Sequence, residues 1–231
     1  MSETEFIEAA KSGDTATVLS LLDVDPELVS AAGDHDKTAL HWAAEMDDSV
    51  TAAVLLDAGA DIEARTDWGA TPLEWAAVMG SEQVADLLLG RGARGYNIVT
   101  AAGLGKISDV QTLTESATQP NGEPNAEPVA NEMVSQALHL AARNGHVETV
   151  AYLLGQGGDI DAKGFFGATG LHWAAMGGHK EMVDFLVEHG ADLTLKDDEF
   201  NATPEGWAEE GGFNSIAEYL HKHSSDSSNA N

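Results

Sequence analysis

The chain has 231 residues, with 39 acidic residues against 11 basic ones and a formal charge of -28. A field of that sign repels phosphate, which excludes nucleic acid and anionic membranes as general partners. No run approaches the roughly 20 apolar residues needed to cross a bilayer, and the absence of cysteine excludes disulfides and thiolate chemistry.

The acidic opening, Met1-Ser2-Glu3-Thr4-Glu5, lacks the basic start of a secretory signal, so the expected address is cytoplasmic. The first predicted elements are two short helices, Phe6-Ile7-Glu8-Ala9-Ala10 and Val18-Leu19-Ser20-Leu21-Leu22, separated by Gly13-Asp14. Next comes Thr38-Ala39-Leu40-His41-Trp42-Ala43-Ala44, then an amphipathic run closing on Val54-Leu55-Leu56 and Gly59-Ala60-Asp61. The same order returns at Thr71-Pro72-Leu73-Glu74-Trp75-Ala76-Ala77. A weaker copy, Ile98-Val99-Thr100-Ala101-Ala102, has the form of the opening pair. Full copies resume at Gln136-Ala137-Leu138-His139-Leu140-Ala141-Ala142 and Thr169-Gly170-Leu171-His172-Trp173-Ala174-Ala175, and a degenerate one follows at Thr203-Pro204-Glu205-Gly206-Trp207-Ala208.

This succession resembles the ankyrin repeat, whose pattern is Thr-Pro-Leu-His-x-Ala at a period of about 33 residues. The physics agrees position by position. Thr caps a first helix, Pro suits its first turn, paired Ala lets two helices approach closely, and Gly ends the second helix. One helix pair cannot bury its own apolar face, so the copies must stack. The resemblance implies an all-α repeat solenoid of about seven helix-turn-helix units with β-hairpin fingers. The expected array covers 1–223. It comprises an amino-terminal cap unit 3–36, units 37–69 and 70–95, an atypical unit 96–133, units 134–167 and 168–201, and a carboxyl-terminal cap unit 202–223. A disordered Ser/Asn-rich tail, 224–231, is expected after it.

Two departures from the period stand out. The Ala pairs at 76–77 and 101–102 are too close, which predicts a shortened finger and a notch between the third and fourth units. The next interval is too long, and the surplus lies in 114–133 around Gln119-Pro120-Asn121-Gly122-Glu123-Pro124, an acidic Pro-rich segment expected to form an exposed loop.

The resemblance implies protein binding on a concave face made by fingers and first helices. The fingertips are Asp34-His35-Asp36, Asp67-Trp68-Gly69, Phe165-Phe166-Gly167 and Glu199-Phe200-Asn201. Large aromatics at Trp68, Phe165, Phe166 and Phe200 mark candidate contact residues, with His35 beside them. Trp42, Trp75, Trp173 and Trp207 share one position on the first helices, with Met46, Met79 and Met176 about one turn beyond. This row is either internal packing or an apolar groove. The resemblance assigns His41, His139 and His172 to hydrogen bonds with neighbouring finger backbone, and whole-repeat spacing places them too far apart to share a metal. Glu74 stands where the other copies have His, and reads as a surface acid or a partly buried carboxylate beside Trp75. Asp34, His35, Asp36 and Glu45 match neither a calcium loop nor a zinc spacing. No metal, cofactor or catalytic residue is assigned, because phosphate loop, nucleophile elbow and His-Glu-x-x-His are all missing.

The expected function is a protein-binding scaffold or adaptor with an aromatic, acid-rimmed concave face, whose partner carries an apolar patch with a basic rim. The alternative is a binder of a small apolar ligand in the Trp-lined groove, or an unusual enzyme there using Glu74, Glu45 or His35 as acid or base.

Overall fold

The computed structural model describes residues 3–115 and 131–228. Among the described residues the chain is helical, with fourteen α-helices and no strand. None of those helices is long and apolar enough to cross a membrane. The chain divides into two compact units, Met1–Tyr96 and Asn97–Asn231.

The first unit contains α1 (Glu3–Lys11), α2 (Thr15–Val24), α3 (Ala39–Glu45), α4 (Ser49–Asp57), α5 (Pro72–Met79) and α6 (Glu82–Gly90). α1 packs on α2, α3 on α4 and α5 on α6; α1, α3 and α5 also stack in one layer and α2, α4 and α6 in another. The second unit repeats this plan with α7 (Ile98–Gly103), α8 (Ile107–Glu115), α9 (Asn131–Arg143), α10 (Val147–Gly155), α11 (Gly170–Met176), α12 (Lys180–Glu188), α13 (Pro204–Glu210) and α14 (Asn214–Ser228). Here α7, α9, α11 and α13 form one layer, and α8, α10 and α12 the other. Between the layers lie the Ala pairs 43–44, 76–77, 101–102, 141–142 and 174–175, with no accessible surface. Leu40, Leu73, Leu138 and Leu171 fill the same seam from the first helices, and Leu55, Leu88, Leu153 and Leu186 from the second. Small residues at the closest approach and leucines around it are what helix pairs at short axial distance require.

The turn joining the helices of a pair needs one left-handed residue, and Gly13, Gly80, Gly105, Gly145, Gly178 and Gly212 supply it. The glycines also leave room for the following pair: a Cβ on Gly178 would lie 2.3 Å from the Phe213 ring, and one on Gly105 2.5 Å from His146 Nδ1. Asp47 fills this position between α3 and α4 at φ 51°. Its carboxylate compensates by accepting the Val84 N–H at 2.9 Å, capping α6, whose own Ser81 side chain makes no cap bond.

Three expectations need adjustment. The fingers are not β-hairpins: the described residues hold isolated antiparallel bridges, Ala32 to Thr38 and Lys163 to Thr169. The first bridge closes on a tight turn, with Gly33 N–H bonded to Lys37 O and Lys37 N–H to Asp34 O, and on its other side Thr38 already caps α3, so the ladder stops there. Of the expected 224–231 tail, residues 224–228 belong to α14, where the hydroxyls of Ser224 and Ser225 bond back to His221 O; residues 229–231 lie outside the described residues. Of the expected 114–133 loop, Thr114 and Glu115 end α8 and residues 131–133 begin α9; residues 116–130 lie outside the described residues. The connection from α6 to α7 runs only from Arg91 to Asn97, where its counterpart from α4 to α5 runs from Ala58 to Thr71.

Candidate functional site

Each finger ends in a turn that forces a left-handed backbone. Asp36, Gly69, Gly167 and Asn201, all two residues before the helix-capping Thr, have φ of 55°, 89°, 66° and 54°. The residue before them is thrown outward, and it is His35, Trp68, Phe166 or Phe200. Trp68 is 46% exposed, Phe166 54% and Phe200 68%, with Phe165 alongside at 50%. Phe166 and His35 are themselves left-handed, at φ 60° and 61°. A bulky side chain adopts that conformation only against a steric cost.

Behind each exposed ring stands a tryptophan of the helix that follows. Trp68 lies 5.7 Å from Trp75, Phe166 6.2 Å from Trp173 and Phe200 6.4 Å from Trp207. The fingertip rings therefore rest on the helical row with one side while the other faces solvent.

The helical row is not an open apolar groove. Lys37 Nζ sits 4.1 Å from the Trp42 ring and 4.2 Å from the Trp75 ring, and Lys11 Nζ lies 4.6 Å from Trp42. In the second unit Arg143 covers Trp173 at 4.4 Å, and Trp207 is buried edge-on against Trp173. Glu45 Oε2 accepts from Lys37 at 2.6 Å and from Trp75 Nε1 at 3.1 Å. Lys37 is buried, so this carboxylate and the two ring faces replace its lost hydration. Trp207 Nε1 instead donates to Asp197, which also accepts backbone N–H groups from Glu199, Phe200 and Ala202. Burial pushes the Asp197 carboxyl up, but those donors outweigh it and hold it down at about 2. Trp42 Nε1 and Trp173 Nε1 are buried without an acceptor. For Trp173 the reason is visible: Arg143, which occupies the position of Glu45 on its own helix, has no acceptor to offer.

Of the other sequence candidates, Met46, Met79 and Met176 end their helices with exposed side chains. His35 Nδ1 pairs with Asp67 at 3.1 Å. Glu74 accepts the Thr71 N–H at 2.8 Å, while Thr71 Oγ1 accepts the Glu74 N–H, so it closes a capping box on α5. His41 and His172 close the same box on α3 and α11 and also reach the next finger. Their Nε2 atoms lie 3.0 and 3.2 Å from the carbonyls of Ala70 and Ala202. A nitrogen facing a carbonyl must donate, so Nδ1 is the acceptor in both rings. Burial holds both imidazoles below their ordinary value.

His139 differs. Gln136 replaces the capping Thr and α9 starts early, at Asn131, so the box is lost inside a continuous helix. Both ring nitrogens of His139 are buried and close no hydrogen bond. Burial pushes this imidazole down to about 4, with the Ala162 carbonyl opposing only in part. A hollow of about 290 Å³ lies elsewhere in the second unit, bordered by Gly105, His146, Glu148 and Glu181; no tryptophan lines it.

Sequence reasoning missed Lys37, Lys11, Arg143 and Asp197. Lys37 carried a usable signal, since the same finger position holds Ala70, Ala168 and Ala202 in other copies. A long cation at a site reserved for a methyl group must send its charge somewhere.

Residues 6–100 and 138–231 match the family model described as ankyrin repeats, three copies. That match spans most of the chain and coincides with the stacked helix pairs, the Ala seams and the histidine-closed caps. The chain belongs to the ankyrin-repeat family, whose repeats generally mediate protein–protein interaction.

Proposed function

We propose that this protein is a binding scaffold whose contact residues are the fingertip aromatics Trp68, Phe165, Phe166 and Phe200. Its partner presents an apolar patch bordered by lysine or arginine. The observation carrying this reading is that these rings stay about half exposed or more, one of them on a left-handed backbone. Exposed aromatics of this size are the side chains that anchor protein interfaces. The charge of -28 favours a basic border on the partner and steers its approach.

The competing reading, acid–base chemistry on an apolar substrate, finds its three candidate groups already engaged. Glu45 holds Lys37 and Trp75, Glu74 caps α5, and His35 faces Asp67. Trp42, Trp75 and Trp173 carry cations on their faces and Trp207 is buried, which removes the apolar walls that reading needs.

The test is affinity capture from native lysate at native salt, with wild type beside a Trp68→Ala/Phe166→Ala/Phe200→Ala variant shown by circular dichroism to keep its helices. A protein held by wild type and released by the variant is the expected result. Identical captures from both would sink the assignment of these residues.

A further inference from the structure

In the first unit, rings and cations form one continuous ladder. The His35 ring lies 4.8 Å from Trp68, and Trp68 lies 5.7 Å from Trp75. Lys37 then bridges Trp75 and Trp42, and Lys11 follows on Trp42. Among the described residues, four of the chain's eleven basic side chains stack on rings in this way, the others being Arg143 and Lys180. In so acidic a protein, three of these cations are shared between an aromatic face and a carboxylate: Lys11 with Glu8, Lys37 with Glu45 and Lys180 with Asp184.

The inner rungs are closed by Glu45, which answers the charge of Lys37. At the outer end Trp68 stands between the rings of His35 and Trp75. Trp68 is nearly half exposed, and Asp67 sets a carboxylate next to it, in contact with the imidazole of His35 rather than with a lysine or arginine. In the second unit the residue before the exposed ring is Phe165 in one finger and Glu199 in the other, and both rings there are phenylalanines, so among the described residues no finger of that unit sets a carboxylate beside an exposed indole.

The geometry points to the exposed part of the Trp68 ring as the seat of an arginine or lysine side chain from the protein partner, with Asp67 as its counter-ion beside His35. This rests on the scaffold reading and adds the chemistry of one contact. The inner part of the ladder shows the pattern that would be repeated: a cation over an indole face, answered by a carboxylate. An apolar side chain would gain nothing from Asp67, whose exposed carboxylate has His35 as its partner, and an anion would be repelled by it and by the net charge of -28. Arginine suits the seat better than lysine, because a planar guanidinium can lie on the indole and still bond a carboxylate.

The experiment follows the five indole N–H signals of the full chain by NMR while argininamide is added at constant ionic strength, with sodium chloride as control. Trp68 is identified by the signal lost in Trp68→Leu, a surface change that leaves the core intact. The Trp68 signal should move to saturation with argininamide and stay still with sodium chloride. In Asp67→Asn the half-saturation point should rise about 1.5- to 5-fold, the range for losing an exposed ion pair. A still Trp68 signal, equal movement of all five indoles, or an unchanged half-saturation point in Asp67→Asn would each overturn the assignment. If argininamide ignores Trp68 while the triple variant still loses its captured protein, the cation seat fails and the scaffold stands. The reverse pattern sinks the scaffold and, with it, a partner's side chain as the occupant, leaving only a seat for the free cation.

Discussion

Lys37 donates to Glu45 across 2.6 Å while its ammonium rests between the faces of Trp42 and Trp75. The pair ties the first finger to the end of α3, and Trp75 of α5 shares the same carboxylate oxygen. Removing one partner leaves the other charge inside the fold, whereas removing both leaves a packing problem only. Glu45→Ala should therefore cost about 2–4 kcal/mol, and the double variant Lys37→Met/Glu45→Leu should recover most of it. Urea unfolding of the three proteins decides the matter; a double variant no better than Glu45→Ala would show that charge burial is not the issue.

Phe166 offers a separation of stability from binding. Its φ of 60° is uncomfortable for phenylalanine and ordinary for glycine. Phe166→Gly should raise stability by about 1 kcal/mol, the released strain less the added chain entropy. Phe166→Ala keeps the strain and should not. If capture of the partner falls while thermal stability rises in the glycine variant, the aromatic ring is retained at a cost to the fold.

A pH dependence follows from His139. Its folded value of about 4 lies below the ordinary 6.5, so the unfolded chain binds the proton more readily. Stability is then fully present above pH 6.5 and declines as pH falls toward 4, by about 3 kcal/mol for this group. His41 and His172, also lowered, add to the same slope. Denaturant midpoints between pH 7 and 4 should fall less steeply in His139→Leu. An unaltered slope would mean the ring gains a partner on protonation.

At Asp47 two effects oppose each other. The left-handed backbone favours glycine, while the carboxylate caps α6 through Val84. Asp47→Gly loses the cap but relieves the backbone; Asp47→Ala loses the cap and keeps the strain. The alanine variant should be the weaker by about 1 kcal/mol in chemical unfolding. Equal losses would place the whole effect in the cap.

Much of the fold was legible because it depends on residues close in sequence. Thr38, His41 and the Ala pair at 43–44 define a helix, its cap and its buried side within a single turn or two, and their return at Thr71 and Thr169 gives the stacking. The exposed fingertip aromatics were legible for the same reason, since the left-handed residue after each one fixes its direction. What could not be read were contacts that a side chain makes across the repeat spacing. Lys37 reaches Trp75, Arg143 reaches Trp173, and neither reach follows from local pattern. No finger among the described residues reaches a strand, because the two bridged ones run at once into the capped starts of α3 and α11, at Thr38 and Thr169. Ser224 and Ser225 read as a tail by composition, yet the helix before them had no signal to stop.

The glycine turns have a further consequence for how the second unit comes apart. Gly105 lies under His146, Gly145 under His179, and Gly178 under Phe213, so each turn is seated on the start of a helix in the next pair. Loss of one pair therefore unseats its neighbour, and thermal energy is spread along the stack rather than released at one end. Such nearest-neighbour coupling makes a linear array melt as a block. A methyl group added at Gly178 should strain its own turn, at φ 73°, and also broaden the transition by pushing Phe213 away and uncoupling α13 and α14 from the rest.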